Sequence, residues 1–426
     1  MSAPAQPHGI GTCTRCGLCQ QACPTYRDWR LEADSPRGRV EIVERIAAGE
    51  RPDAAMAEHL YACLGCRACE TACPSGVPFG DLLEFGRREV ERTGTLAPER
   101  GGWRTFRSFV FERVLPSRAL FGAMMMPAKT LRHMPTLARL LRSLPMSSGA
   151  RRALAMASIE TPMGNGRLPA HSKAIGERRA RVALFTGCVM DALFGGVNEA
   201  LVRVLRSSGC DVVAPSGQWC CGALNVHAGE QRRALAMARR NIEAFERADA
   251  EAIVVDSAGC GAHMKSYGRL LEGEPAFADR AAAFAGKTVD ATEYLDRIGV
   301  TMNRPPSARR VTYQDACHLA HGQKIRQAPR ALLRAMPGVE FVELRDADRC
   351  CGAAGVYSLT HPAMSQRVLD EKLAKIAEAG VDTVTVTNPG CHLQLAPALA
   401  QRGVRVRHVV ELVDEAIHHS SRGTAF

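Results

Sequence analysis

The stretch Cys63-Leu-Gly-Cys66-Arg-Ala-Cys69-Glu-Thr-Ala-Cys73-Pro74 holds four cysteines separated by two, two and three residues, and it ends on a proline. Fifty residues earlier the same spacing appears in Cys13-Thr-Arg-Cys16-Gly-Leu-Cys19-Gln-Gln-Ala-Cys23-Pro24. A loop with a thiolate at every third residue can wrap three corners of an iron–sulfur cube. The two runs therefore predict two iron–sulfur clusters near the start of the chain.

Paired runs of this kind are the ligand pattern of two-cluster bacterial-type ferredoxins, which this part of the chain resembles. In that pattern the cysteine before the proline binds the other cluster. We expect one [4Fe-4S] cluster on Cys13, Cys16, Cys19 and Cys73, and a second on Cys63, Cys66, Cys69 and Cys23. The alternatives fit less well, because disulfides are rare in long chains without a secretory signal and zinc sites usually show paired C-x2-C units.

Length and composition indicate a protein of two or three domains with an ordinary core. The chain has 426 residues, 46% of them apolar, and 17 cysteines. The first residues lack the basic and apolar regions of a signal peptide, and no apolar run approaches the roughly 20 residues that span a bilayer. We expect a cytoplasmic protein, with peripheral attachment to the inner face of the cell membrane left open.

The net charge of +11 comes from one segment. Residues 101–181 carry 15 Lys and Arg against 3 Asp and Glu, which is a net of +12 and leaves −1 for the remainder. We interpret residues 96–180 as a basic helical connector. The run from Phe121 to Met126, flanked by Arg118, Lys129 and Arg132, could lie on an anionic membrane surface or a partner. Equally, Met124, Met125 and Met126 could fill gaps in the protein's own core. No nucleic-acid-binding module accompanies the charge, so we expect no nucleic acid partner.

Residues 1–95 are predicted to be more helical than a small ferredoxin. Apolar residues recur at helical spacing after Arg39, from Ala54 to Tyr61, and from Phe79 to Arg92. This module resembles the alpha-helical ferredoxin of respiratory iron–sulfur subunits.

Residues 181–426 contain an internal repeat. Cys188, Cys221 and Cys260 recur as Cys317, Cys351 and Cys391, so the separation between equivalent cysteines is nearly constant. Each half alternates strand-like and helix-like segments, which predicts mainly parallel sheets. The predicted fold is α+β overall: a helical 4Fe-4S ferredoxin domain (1–95) and a connector (96–180), followed by a duplicated α/β domain (181–300 and 301–426).

The repeated cysteines are candidate ligands of a further cluster or of zinc. They are Cys188, Cys220, Cys221 and Cys260 in the first half, and Cys317, Cys350, Cys351 and Cys391 in the second. The pattern resembles the cysteine-rich "CCG" domain of heterodisulfide reductases, which often closes with C-x2-C. Here His263 and Gln394 stand at the last position. A redox cluster, a zinc or structural site, and free thiols therefore all stay open.

Three histidines lie next to these cysteines and could supply a ligand or a proton. They are His263, His318 and His392. A histidine beside a turn is more often an ordinary hydrogen-bonding residue, and that alternative stays open. Cys210 has no counterpart in the second half and is interpreted as a buried thiol.

The whole arrangement resembles the iron–sulfur subunits of glycolate oxidase (glycolate dehydrogenase). The resemblance rests on Thr186–Asn198, Cys220–Gly229, Tyr313–Gly322 and Arg349–Tyr357. It implies that flavoprotein subunits oxidise glycolate to glyoxylate, and that this chain passes the electrons through its clusters toward the quinone pool. The chain shows no dinucleotide-binding glycine motif, so we expect no flavin, no nicotinamide and no catalytic residue in it. Iron–sulfur subunits of lactate or anaerobic glycerol-3-phosphate dehydrogenases, a thiol–disulfide reductase, and a zinc-holding scaffold remain alternatives.

Overall fold

The computed structural model describes residues 7–95, 108–132, 134, 136, 140–141, 143–159, 161–162, 164 and 168–418, without the side chains of Arg132 and Ser148. The ends of the predicted first and last domains and parts of the connector therefore lie outside the described residues. In the described part, the chain folds into a helical N-terminal module and two parallel sheets covered by helices.

The N-terminal module is helical, as its apolar spacing predicts. Its helices are α1 Pro24–Trp29, α2 Pro36–Ala47, α3 Ala54–Tyr61, α4 Ala68–Thr71 and α5 Phe79–Thr93, with short 3-10 turns at Leu18–Gln20 and Glu32–Asp34. Side chains cap two of them: Ser35 accepts from the Gly38 amide, and Asp53 accepts from the Met56 amide. Their apolar faces meet in a core around Val43, Leu60 and Leu82.

The connector packs its apolar side on the rest of the protein. It contains a π-helical turn Val110–Val114, α6 Arg118–Arg132 and α7 Ser148–Ala157. Phe111 and Phe121 are buried, and the Phe121 ring meets Trp219 edge-on at 5.9 Å. The Trp219 Nε1–H donates to the Leu115 carbonyl at 2.7 Å. Met124 and Met125 pack against the core, as one of the two alternatives for this segment predicts, while Leu120 and Met126 are exposed.

The first repeat is built on a five-stranded sheet of order β1-β3-β2-β4-β5. Its strands are β1 His171–Ser172, β2 Ala180–Phe185, β3 Cys210–Val213, β4 Ala252–Val255 and β5 Thr288–Asp290. All neighbours are parallel except β1 against β3. The helices are α8 Val189–Leu193, α9 Gly195–Ser207, α10 Ala223–His227, α11 Gln231–Glu246, α12 Ala258–Met264, α13 Tyr267–Leu270, α14 Ala278–Lys287 and α15 Ala291–Ile298.

The second repeat is built on a four-stranded, fully parallel sheet of order β7-β6-β8-β9. Its strands are β6 Arg310–Tyr313, β7 Glu340–Phe341, β8 Thr383–Val386 and β9 Arg405–His408. A π-helical turn His318–Gly322 follows Cys317, and the helices are α16 Gln327–Arg334, α17 Tyr357–Thr360, α18 Pro362–Ala379, α19 Pro389–Ala400 and α20 Val409–Ile417. The mixed fold with mainly parallel sheets is confirmed.

The two repeats share a core. Helix α20 of the second repeat packs along α9 of the first, where Arg203 binds Asp414 with Nη2 to Oδ2 at 2.5 Å. The loops after β4 and β8 also meet, because the Ala258 amide donates to the Thr387 carbonyl at 3.0 Å. The carboxyl ends of the two sheets are therefore held next to each other, and open α/β sheets place their sites at such ends.

Candidate metal centres

The cysteines expected to bind the first cluster form an outer set, Cys13, Cys16, Cys19 and Cys73. Cys16 is exposed, and the other three are partly buried. Burial raises the pKa of Cys19 to about 11, and the nearby Cys13 and Cys73 thiols add to the shift. The Leu18 backbone amide lowers the pKa of Cys16. Two runs that are well separated in the sequence are thus brought together at the surface of the module.

The cysteines expected to bind the second cluster form an inner set, Cys23, Cys63, Cys66 and Cys69. All four line one cavity, together with Arg39 and Phe79. Burial raises the pKa values of Cys66 and Cys69. The Cys317 thiol raises the pKa of Cys66 further, and the neighbouring thiols of the same set raise both. The Gly65 amide donates to the Cys63 Sγ at 3.4 Å. A cavity faced by four thiols and a backbone donor fits an iron–sulfur cluster.

A buried arginine that the sequence analysis missed supports the inner set. Arg39 is 1% exposed, and its Nη1 lies 3.9 Å from the Cys23 Sγ and donates to Thr25 Oγ1 at 3.0 Å. Its Nη2 donates to Asp34 Oδ1 at 3.0 Å. Burial opposes the charge, yet Cys63, Cys23 and Asp34 together raise the pKa of Arg39. The cation therefore favours thiolates in the cavity.

The first repeat brings its four candidate cysteines together as the first set, Cys188, Cys220, Cys221 and Cys260. Cys188 and Cys260 follow β2 and β4, and the Cys220–Cys221 pair precedes α10. Their thiols contact one another in the order 188, 220, 221, 260. These contacts raise the pKa of Cys188 and Cys221 and lower that of Cys220.

The second repeat repeats the arrangement as the second set, Cys317, Cys350, Cys351 and Cys391. Its thiols contact one another in that order. In both sets the turn after the cysteine pair needs a left-handed glycine, Gly222 with φ +89° and Gly352 with φ +88°. None of the 17 cysteines forms a disulfide, and all of them lie in the described residues. In the described residues, no three His, Cys, Asp or Glu side chains are placed to hold a single metal ion.

The inner set and the second set meet in one apolar cluster, which we call the junction. Cys66, Cys350 and Tyr357 are buried in it, and Cys317 packs against it. The Tyr357 hydroxyl donates to the Ala62 carbonyl at 3.0 Å. Sequence spacing could not reveal this contact, because one thiol set lies near the start of the chain and the other near its end.

Histidines from both repeats gather beside the N-terminal module. The His227 and His318 rings lie 5.3 Å apart, and His227 Nδ1 is 3.0 Å from Glu84 Oε1. Burial lowers the pKa of His318 to about 3 and that of His263 to about 4. His392 lies elsewhere, with its ring edge-on to Phe194 at 5.0 Å. The structure thus brings His263 and His318 toward one another but not His392.

Comparison with known proteins matches this architecture. Residues 9–77 match the family model of a 4Fe-4S dicluster domain, and residues 182–265 and 311–396 each match that of a cysteine-rich domain. These matches confirm the predicted order of one iron–sulfur module and two cysteine-rich repeats.

Some relatives of known name align with nearly the whole chain and others with about half of it. A probable glycolate oxidase iron-sulfur subunit of Bacillus subtilis is 35% identical over 96% of this chain and 94% of its own length. A glycolate oxidase iron-sulfur subunit of Escherichia coli is 33% identical with the same coverage. Lactate utilization protein A of an Exiguobacterium species is 33% identical over 55% of this chain and 98% of its own length.

Proposed function

The chain belongs to the family of glycolate oxidase iron–sulfur subunits, and from that premise we propose that it carries electrons from a glycolate-oxidising flavoprotein toward a quinone. The two [4Fe-4S] clusters, when bound, supply one-electron transfer. The outer set would hold one cluster at the surface and the inner set the other inside, with the ligands predicted from the sequence. The domain limits 1–95, 96–180, 181–300 and 301–426 are part of the proposal.

The observation that carries the proposal is the junction. Cys66 of the inner set lies in the same apolar cluster as Cys350 of the second set. The exposed Cys16 marks the other end, where a partner protein can approach the outer set. In the proposed path, electrons enter at the outer set and pass to the inner set, on the side of the module that faces the second set. The Arg39 cation lies beside the thiols of the inner set and offsets part of their negative charge.

The substrate of the partner is proposed as glycolate rather than lactate. The relatives named for glycolate oxidase align with 96% of this chain, whereas the one named for lactate utilisation aligns with 55%. The aligned glycolate oxidase relatives thus include the counterparts of both the N-terminal module and the cysteine-rich repeats.

The test is anaerobic reduction of the assembled complex. Glycolate should bleach the visible absorbance of the iron–sulfur clusters and reduce a soluble quinone, while lactate and glycerol 3-phosphate should not. Cys66→Ser should abolish quinone reduction. Cys210→Ser is the matched control, because Cys210 is a buried thiol outside the four sets, with its Sγ 3.8 Å from the Tyr294 hydroxyl. Quinone reduction that survives Cys66→Ser, or reduction by lactate alone, would contradict the proposal.

Peripheral membrane attachment is proposed for the connector. Large apolar side chains there are exposed, among them Leu120, Met126 and Leu140, within the segment of net charge +12. Basic, apolar surfaces of this kind bind anionic lipid. In the described residues, no helix is long and apolar enough to cross a membrane. Sedimentation with anionic vesicles should fall for Leu120→Glu with Met126→Glu. It should not fall for Leu31→Glu, an exposed apolar residue of the N-terminal module. Equal binding by all variants would contradict this attachment.

A further inference from the structure

Three residues after its last cysteine, each of the two sets has a buried side chain, and the residue type differs between the sets. His263 follows Cys260 by three residues and is 6% exposed, while Gln394 follows Cys391 by three residues and is 3% exposed. Residues three apart share one face of a helix. Each side chain therefore lies on the same face of its helix as the cysteine before it.

In the second repeat this side chain has a structural partner. Gln394 Nε2 donates to Ser365 Oγ at 3.2 Å, and the Ser365 hydroxyl donates to the Gly352 carbonyl at 2.7 Å. The amide is thereby tied, through Ser365, to the turn that carries Cys350 and Cys351. Gln394 is satisfied by the protein itself.

The first repeat has no such partner for His263. Ala234 packs on Gly222 as Ser365 packs on Gly352, so alanine and serine occupy equivalent places in the two repeats. An alanine has no hydroxyl to receive a side chain. The His263 Nε2 is buried without a hydrogen-bond partner in the part of the chain that the structure describes. Buried polar groups in native proteins are nearly always satisfied, so a ligand is expected at this nitrogen.

The surroundings of His263 place it beside the first set. Its ring meets Tyr267 edge-on at 5.4 Å, and the Tyr267 hydroxyl donates to the Cys221 carbonyl at 2.7 Å. The ionisable neighbours of His263 are Glu84, His227 and Cys220. Glu84 already engages His227, with Oε1 3.0 Å from its Nδ1.

We propose that the Nε2 of His263, which is buried on the helix that carries Cys260, is a fifth protein ligand of an iron–sulfur cluster on Cys188, Cys220, Cys221 and Cys260. Structural zinc sites take four protein ligands, so four thiolates and an imidazole fit a cluster of several irons better. The second set then has four thiolates and no imidazole. The inference adds a centre to the proposed relay, but it does not depend on the identity of the oxidised substrate.

The test is pulsed EPR of the anaerobically purified full chain with natural or 15N-labelled histidine. The wild-type protein should show a coupling between a histidine nitrogen and an iron–sulfur centre, and the coupling should change with the isotope. His263→Gln, which copies the second repeat, should lose it. His392→Gln is the matched control, because His392 is a buried histidine next to Cys391, and the coupling should persist in it.

A second variant distinguishes the loss of a nitrogen ligand from misfolding of the site. His263→Cys supplies a thiolate at the same position, so it should keep the iron content of the wild type and still lose the nitrogen coupling. Coupling that survives in His263→Gln or His263→Cys would overturn the proposal. A wild-type chain with no more than about eight irons, enough for the outer and inner sets only, would also overturn it while leaving the relay intact.

Discussion

The two cysteine-rich repeats hold equivalent thiols, but their neighbours differ. The second set packs against the inner set through Cys66 and Tyr357, whereas the first set lies beside His263 and under the connector. Even equivalent positions differ, since His227 binds Glu84 while Tyr357, its counterpart in the second repeat, donates to the Ala62 carbonyl. Duplication therefore explains why the first and second sets have equivalent cysteines. The residues around each set explain how the two sets can differ in role.

The largest expected difference between the repeats lies in their glycine turns. A Cβ at Gly352 would stand 2.5 Å from the Ser365 carbonyl oxygen, whereas a Cβ at Gly222 would meet Ala234 Cα at 3.2 Å. Left-handed backbone costs an alanine about 1–2 kcal/mol, and overpacking adds about 1–3 kcal/mol. Gly352→Ala should therefore lower the free energy of unfolding by about 2–5 kcal/mol and Gly222→Ala by about 1–2 kcal/mol. Anaerobic urea unfolding measures both, and equal losses would remove this distinction.

A second difference concerns pH. Asp256 directly follows β4, and both of its carboxylate oxygens are buried without a hydrogen-bond partner in the described residues. Burial raises its pKa to about 8. Thr387 stands at the same place in the second repeat, with its Oγ1 3.0 Å from the Tyr313 hydroxyl.

Because the folded-state pKa of Asp256 exceeds its unfolded value of 3.8, only the unfolded state ionises between about pH 4 and pH 8. This group should therefore lower the free energy of unfolding by up to about 1.4 kcal/mol for each unit of rising pH. Asp256→Asn should flatten the dependence, and Thr387→Asp should add a similar one. The free energy of unfolding should be measured for each variant from pH 5 to pH 8. If its slope against pH is the same in Asp256→Asn as in the wild type, the role assigned to Asp256 is wrong.

The smallest effect is expected at the junction. Tyr357→Phe removes the hydrogen bond to the Ala62 carbonyl and should lower the free energy of unfolding by about 1 kcal/mol. Tyr294→Phe is the matched control in the first repeat, because the Tyr294 hydroxyl contacts only the Cys210 Sγ at 3.8 Å among its described hydrogen-bond partners. Anaerobic urea unfolding measures both variants. If Tyr357→Phe loses no more free energy of unfolding than Tyr294→Phe, the Tyr357 hydroxyl does not stabilise the junction.

Much of the fold followed from local patterns. Cysteine spacing predicted the N-terminal module, and the nearly constant separation of equivalent cysteines predicted the duplication with parallel sheets. Local pattern could not show Arg39, because an arginine at that position of α2 has the sequence appearance of a surface residue. It also could not show the junction or the burial of Phe111 and Phe121, since each depends on contacts between segments far apart in the chain.

The boundaries were less predictable for the same reason. Helix α9 begins at Gly195, two residues after the end of α8 at Leu193. Strand β7 contains only Glu340–Phe341, although strand-like sequence continues as far as Leu344. Both residues of β7 pair with β6 at the edge of the sheet, where a strand has a neighbour on one side only.

The central claim is that this chain is an iron–sulfur electron relay. Anaerobic analysis of iron, sulfide and zinc in the purified chain, paired with EPR of the reduced protein, tests it most directly. We predict two interacting [4Fe-4S] signals from the outer and inner sets, with about twelve irons or more once the first set is loaded. Zinc without iron would contradict the account.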